Sequence, residues 1–188
     1  VEFNTFNIQS VFDILKGSNC KIILTSSIFA GHQSTDNSTP FSPYGLSKKV
    51  TAERFLAQSQ QTGVEVSVFV IPNPFGSYDN QKLIHGFGKQ WVQNQTPTLQ
   101  ISEYVRDNIH VELLSLGYVN WVQKIHSSQF FYPSGYRGSM YNFISRYAQE
   151  MSWRLNVPCE FISTHTPSNQ QPSTLVNSDE LQILFPDW

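Results

Sequence analysis

The chain has 188 residues, a formal charge of -2 and 14% charged residues. That length can bury one sizeable core with a smaller appended lobe, and the balanced charge leaves no basic surface that asks for nucleic acid. The longest apolar runs, residues 22–24 and 64–72, fall far short of the roughly 20 residues that span a bilayer. With no secretory leader pattern either, a soluble cytoplasmic protein is expected.

Taken in chain order, Phe3, Phe6, Val11, Phe12, Ile14 and Leu15 recur at helical spacing, and Gly17 ends the run. Residues 21–25 are short, apolar and rich in β-branched side chains, as in a parallel strand covered on both faces. Residues 32–42 read as a loop. Residues 44–60 form the next helical pattern, closed by Gly63, and residues 64–71 a second strand. Pro72 and Pro74 are expected to stop that strand, because proline cannot donate to a ladder. The order helix, strand, loop, helix, strand is the repeating unit of an α/β domain with a parallel sheet.

Beyond Gly76, helices are expected over 82–93, 111–125 and 139–155. Short strands are expected over 98–101, 129–132 and 159–162, with a polar, proline-bearing loop over 164–173. Cys20 and Cys159 form no CxxC or Cys/His cluster, which excludes a zinc site and points to two reduced core thiols.

The feature that carries chemistry is Tyr44-Gly45-Leu46-Ser47-Lys48. A turn of helix takes 3.6 residues, so a tyrosine and a lysine four apart project from one face. An ammonium beside a phenol favours the phenolate. The pair therefore suits general acid/base work at a carbinol oxygen while hydride moves at its carbon, and the lysine's remaining donors can hold a cofactor ribose. Alone, this spacing describes many solvated helix faces. Its context is more specific. Ser42-Pro43 start the helix at the tyrosine, and Thr25-Ser26-Ser27 end the preceding strand. Open α/β sheets bind ligands at the carboxyl ends of their strands, where the Ser26 hydroxyl can donate to a substrate oxygen.

Four motifs follow in order: Thr25-Ser26-Ser27-Ile28-Phe29-Ala30-Gly31, Ser42-Pro43-Tyr44-Gly45-Leu46-Ser47-Lys48, Asn73-Pro74-Phe75-Gly76 and Val105-Arg106-Asp107-Asn108-Ile109-His110-Val111. In this order the chain resembles the extended short-chain dehydrogenase/reductases of the NAD-dependent epimerase/dehydratase branch, from about Asn4 to about Leu155 and more loosely to Pro186. The resemblance implies a partial Rossmann-like catalytic domain over residues 1–80. It implies a small mixed α/β substrate-binding lobe over residues 81–188, from which residues 105–135 return to the Rossmann part.

The resemblance also implies roles. Tyr44 is the acid/base, Lys48 its partner, and Ser26, five residues before Gly31, the third member, with Ser27 as fallback. Ser26, Tyr44, Lys48 and Pro74 would meet NAD or NADP. Ser27, Asn73 and Arg106 would meet a nucleotide-sugar substrate, the planar Arg106 guanidinium pairing with a phosphate. No metal is implied. Plainer readings stand beside these: Asn73 starting a turn, Arg106-Asp107 as a surface ion pair, and His110 as a packing residue. His32 and His85 are read as loop residues without a partner. Phe130, Phe131, Tyr132, Tyr136 and Tyr141 are read as core in preference to pocket.

The chain also departs from the pattern. The family's opening strand and GxxGxxG are not found. Gly86-Phe87-Gly88 lacks a third glycine at Trp91, and Gly135-Tyr136-Arg137-Gly138 lacks one at Tyr141. Ala30 stands where an aromatic ring is usual, and Asn7-Ile8 replace a Gly-Thr after Asn4. A form lacking the glycine-rich segment would expose the edge of the 21–25 strand, to be covered by self-association or a complementing chain. Ser27-Ile28 stand where dehydratases usually carry an acidic pair, which favours an epimerase or a reductase. The alternative is a non-catalytic remnant, a sugar-nucleotide-binding module that needs a partner chain to complete the cofactor site.

Overall fold

The computed structural model describes residues 7–33, 40–77, 83–123, 129–164 and 171–187. The first helix, α1 (Ile8–Leu15), buries Ile8 and Phe12, one turn apart, and leaves Val11 and Ile14 on the outside. The expected contributions of Phe3, Phe6 and Asn4 lie outside the described residues. Strand β1 (Ile22–Ser27) runs on through both serines, two residues further than the apolar pattern reaches. A short 3-10 turn (Ile28–Ala30) follows.

Helix α2 (Pro43–Thr62) starts where the sequence places it. The Ser42 hydroxyl accepts from the Gly45 N–H at 3.1 Å, with Pro43 in the first turn, where a missing N–H is no loss. Its inner face lays Ala52 against Val68 and Val70 of β2 (Val66–Ile71). Strand β2 is the middle of a parallel sheet ordered β1-β2-β6, where β6 is Phe130–Phe131. It buries Val68, Phe69 and Val70 in succession, as a strand covered on both faces must. Among the described residues, β1 pairs with β2 alone.

Pro72 ends β2, and the chain crosses at once into a second sheet through β3 (Asn73–Phe75). Here Pro74 does take part in a ladder, contrary to expectation: it stands opposite Ile109 of β5 (Val105–His110). Strand β3 is the edge of that sheet, where proline is tolerated. Between these strands lie α3 (Leu83–Val92) and the two-residue β4 (Thr98–Leu99). After β5 come α4 (Val111–Gln123), β7 (Pro133–Ser134) and β8 (Tyr136–Ser139), the last antiparallel to β5. Next are α5 (Met140–Leu155), β9 (Ile162–Ser163), β10 (Thr174–Leu175), β11 (Asp179–Glu180) and α6 (Leu181–Leu184). The second sheet is ordered β10-β5-β3. The strand expected over 159–162 begins only at Ile162.

The largest buried cluster joins α3 and α5 through Phe87, Trp91, Leu99, Tyr104, Met140, Phe143 and Ile144. The two sheets are tied together by buried polar groups. Asp107 is fully buried, and its carboxylate accepts from the Gly135 N–H at 2.8 Å and the Asn177 N–H at 3.0 Å. The Asn177 amide in turn donates to Val70 O at 2.8 Å and Pro133 O at 2.9 Å, which links β2, β5 and β7. Burial pushes the Asp107 carboxyl above the usual range, against the pull of its backbone donors.

Arg106 and Asp107 are therefore no surface ion pair, since they are 3% and 0% exposed. Of the two free cysteines, Cys159 is buried as expected, but Cys20 is exposed because it precedes the strand instead of joining it. Among the described residues no helix is long and apolar enough to cross a membrane, and no cluster of ligating side chains would hold a metal ion.

Candidate active site

A cavity of about 580 Å³ opens where β1 and β2 end and β3 begins. Its wall includes Ser26, Ser27, Tyr44, Lys48, Asn73, Pro74 and Arg106, all seven of the residues singled out from the sequence. Four separate segments supply them, and each is brought there by a local feature. The serines are the last two residues of β1, paired with Val70 and Ile71. Tyr44 and Lys48 lie on the first turns of α2. Asn73 and Pro74 follow the crossing at Pro72. Arg106 comes from the start of β5, and Asn108, which pairs with Asn73 across the ladder, also lines the wall.

Gly45 sets the distance between α2 and the 3-10 turn. A Cβ built on it would stand 2.1 Å from the carbonyl oxygen of Phe29, so no other residue lets the helix start this close. Gly76 plays the same part at the end of β3. It has φ 131°, and a side chain there would meet the His110 ring at 2.9 Å. His110 packs edge-on against Phe75 at 5.4 Å, which fits the packing role read from its apolar neighbours.

Tyr44 is 54% exposed at the cavity wall, edge-on to Phe29. The Lys48 ammonium lies 5.9 Å from the Tyr44 ring centroid and donates to the Thr25 carbonyl at 3.4 Å. An ammonium has three donors, so one such bond does not use up its capacity. Ser26 is nearly buried, and its hydroxyl lies 2.8 Å from Nε2 of His32. Ser27 turns its oxygen to the Phe29 N–H at 3.3 Å.

Arg106 donates to the carbonyls of Val105 at 2.9 Å and Ser173 at 3.1 Å, and lies 4.7 Å above the Tyr104 ring. Burial lowers its pKa from the ordinary guanidinium value. A third bond runs from its Nη2 to Gln171 Oε1 at 3.5 Å, and together these use part of a five-donor fork.

The cavity also has walls that the motifs did not announce: Leu83, Ile84, Ile101, Met140 and Phe143 from the far lobe, and Gln171. His32 is a further correction, since it has a partner in Ser26. The signal was its place directly after Gly31, where a tight turn brings position 32 back to the strand end. His85 lies inside α3, not in a loop. The five aromatics of the 130–141 stretch do not line the cavity: Phe131 stacks on Trp121 at 4.6 Å, Phe130 on Tyr132 at 5.7 Å, and Tyr136 and Tyr141 contact Phe143 and Phe161.

A parallel α/β sheet with a cavity at its strand ends is the arrangement of Rossmann-like folds, and Ser26, Tyr44 and Lys48 all line that cavity. Comparison with solved structures narrows the fold to that of the extended short-chain dehydrogenase/reductases. The dTDP-glucose 4,6-dehydratase of Bacillus anthracis, solved with NAD, is similar with a TM-score of 0.74 at 17% identity, over 99% of this chain and 63% of that one. The UDP-glucuronic acid 4-epimerase of Bacillus cereus, solved with UDP-glucuronic acid and NAD, gives 0.70 at 16%, over 91% and 57%. A GalE-like L-threonine dehydrogenase from Cupriavidus necator gives 0.67 at 14%, over 90% and 66%. The chain thus spans roughly three-fifths of the length of these proteins. At such identities the likeness establishes the fold, and the last example shows that this fold also serves a substrate that is not a sugar nucleotide. No protein-family profile and no curated protein sequence matches the chain.

Proposed function

We propose that the chain carries the proton-transfer and substrate-binding machinery of an NAD(P)-dependent nucleotide-sugar epimerase or reductase. The observation that supports this most is the single cavity into which Ser26, Ser27, Tyr44, Lys48, Asn73, Pro74 and Arg106 are gathered from four segments of sequence. The division of labour follows the lobes: residues 1–80 supply the catalytic side, and residues 81–188 the substrate side, with 105–135 returning to the sheet.

The cavity fits the nicotinamide-ribose end of NAD(P). Lys48 keeps donors for ribose hydroxyls, and Pro74 offers an apolar wall without an N–H. When bound, the cofactor would accept or supply hydride. Tyr44 moves the proton of the substrate hydroxyl, Ser26 holds the same oxygen by hydrogen bonding, and Lys48 keeps a positive charge beside both. Arg106, with Asn73, faces the substrate's phosphates. Ser27 and Ile28 stand where dehydration would call for acidic groups, so epimerisation or reduction is the favoured outcome. The edge of β1 that no described strand covers is where further strands, from this polypeptide or another, would bring a pyrophosphate cradle; without them the binding-module reading applies.

The test is turnover of a UDP-sugar with NAD(H) or NADP(H), set beside calorimetric titration of the cofactor. Tyr44→Phe is expected to lower kcat by roughly 10²–10⁴-fold and leave cofactor affinity nearly unchanged. Retained turnover in Tyr44→Phe would refute the role given to the tyrosine. Binding of sugar nucleotide without turnover by the unaltered protein would favour the non-catalytic module.

A further inference from the structure

We propose that His32 is a positioning residue for Ser26: its Nε2–H donates to the serine oxygen, and the serine proton is thereby left to point into the cavity. The proposal rests on the functional reading above.

The contact is made by the chain's own geometry. Ser26 is the last residue but one of β1, the 3-10 turn over Ile28–Ala30 follows, and His32 comes back so that Nε2 lies 2.8 Å from the serine oxygen. Phe130, from the third strand of the same sheet, lies against the imidazole at 5.2 Å between ring centroids. The ring is thus placed from two elements. Burial, with a lesser effect from the Lys49 charge, holds its pKa down at about 4, so at neutral pH it carries one N–H only.

That single proton decides what Ser26 can do. A hydroxyl has one proton and two lone pairs. If Nε2 accepted, the serine proton would be drawn to the ring, and only lone pairs would face a substrate oxygen, which repels a carbonyl. If Nε2 donates, the serine is a directed donor aimed at the substrate oxygen before substrate arrives, the arrangement that stabilises developing negative charge best. Ser27 has no such side-chain donor among the described residues: its oxygen accepts from the main-chain N–H of Phe29 at 3.3 Å.

Two measurements on the full chain test this. The first is long-range proton–nitrogen NMR of ¹⁵N-histidine-labelled protein at neutral pH, with the His32 signals assigned by their loss in His32→Phe. The expected result is a protonated, pyrrole-type Nε2 and a pyridine-type Nδ1 for His32, and a displacement of these signals in Ser26→Ala that the other four histidines do not share. A pyridine-type Nε2, or signals that ignore Ser26→Ala, overturns the proposal.

The second is kinetic. His32→Phe keeps a ring and loses the donor, and kcat should fall about tenfold with KM nearly unchanged, the loss of one hydrogen bond. His32→Gln, which keeps an N–H donor, should recover most of it. Equal losses in both variants would overturn the positioning role. An unaltered protein that turns over no UDP-sugar sinks the function proposed above, and the NMR result then decides the His32–Ser26 bond by itself.

Discussion

Gly45, in the first turn of α2, stands where an added side chain would run into the main chain of the 3-10 turn. Helix interiors normally favour alanine over glycine by about 1 kcal/mol, so Gly→Ala in α2 would be expected to stabilise. At Gly45 the added carbon would stand 2.1 Å from Phe29 O and 2.9 Å from Phe29 C, atoms of the main chain that cannot rotate away. Relief requires α2 and the 3-10 turn to separate by more than an ångström, against an overpacking cost of about 1–3 kcal/mol or somewhat more. Main-chain atoms that cannot rotate away put the cost in the upper part of that range, and with about 1 kcal/mol returned by alanine's helix preference the net expectation for Gly45→Ala is a loss of about 1–2 kcal/mol. For a domain of this size that is a fall in Tm of roughly 2–4 °C per kcal/mol. Gly86 is the control: it also lies in a helix, α3, but nothing comes within 4 Å of its added carbon, so Gly86→Ala should gain up to about 1 kcal/mol. Urea and thermal unfolding of the two variants against the parent give the signs directly. A Gly45→Ala protein as stable as the parent would refute the contact that sets Tyr44 beside the serine strand.

Asp107→Ala leaves the buried N–H groups of Gly135 and Asn177 without their acceptor, and should cost about 2–4 kcal/mol in urea unfolding; a neutral result would remove Asp107 from the junction of the two sheets. His32 bears on acid stability. Its pKa is about 4 in the folded chain against 6.5 ordinarily, so the unfolded state takes up the proton first. The associated stability is whole above pH 6.5 and is lost as pH falls through 4. With its partial exposure discounted, this is about 1–2 kcal/mol. His32→Phe should therefore lose less stability between pH 7 and pH 4.5 than the parent; identical losses would contradict it.

Much of the local structure was legible because it is written in local rules. The Ser-Pro pair before Tyr44 announces a helix start, and α2 begins there. Apolar β-branched runs announce buried parallel strands, and β1 and β2 are found where those runs lie. Strand β5 was not legible as a strand, because Arg106, Asp107 and Asn108 break any apolar alternation. Its polar groups are satisfied by Ser173, Gly135 and Asn177, residues 28 to 70 positions away. The same holds for β10, β11 and α6, which are too short to show a pattern and are received by β5, β7 and the place that Leu181 takes beside Gly117.

For the site, the sequence by itself named the side chains to expect at the cavity and set Ser26 at a strand end and Tyr44 and Lys48 at a helix start, since spacing and caps act within a few residues. It could not say that Ser26 would be met by His32, that Gly45 would touch the Phe29 carbonyl, or that the far wall would be built by Ile84, Met140 and Phe143. Those are contacts between elements, and they depend on how the sheets and helices settle against one another. Only the tertiary structure decides that, because apolar burial, which drives the packing, is non-directional and leaves no local mark of its partner.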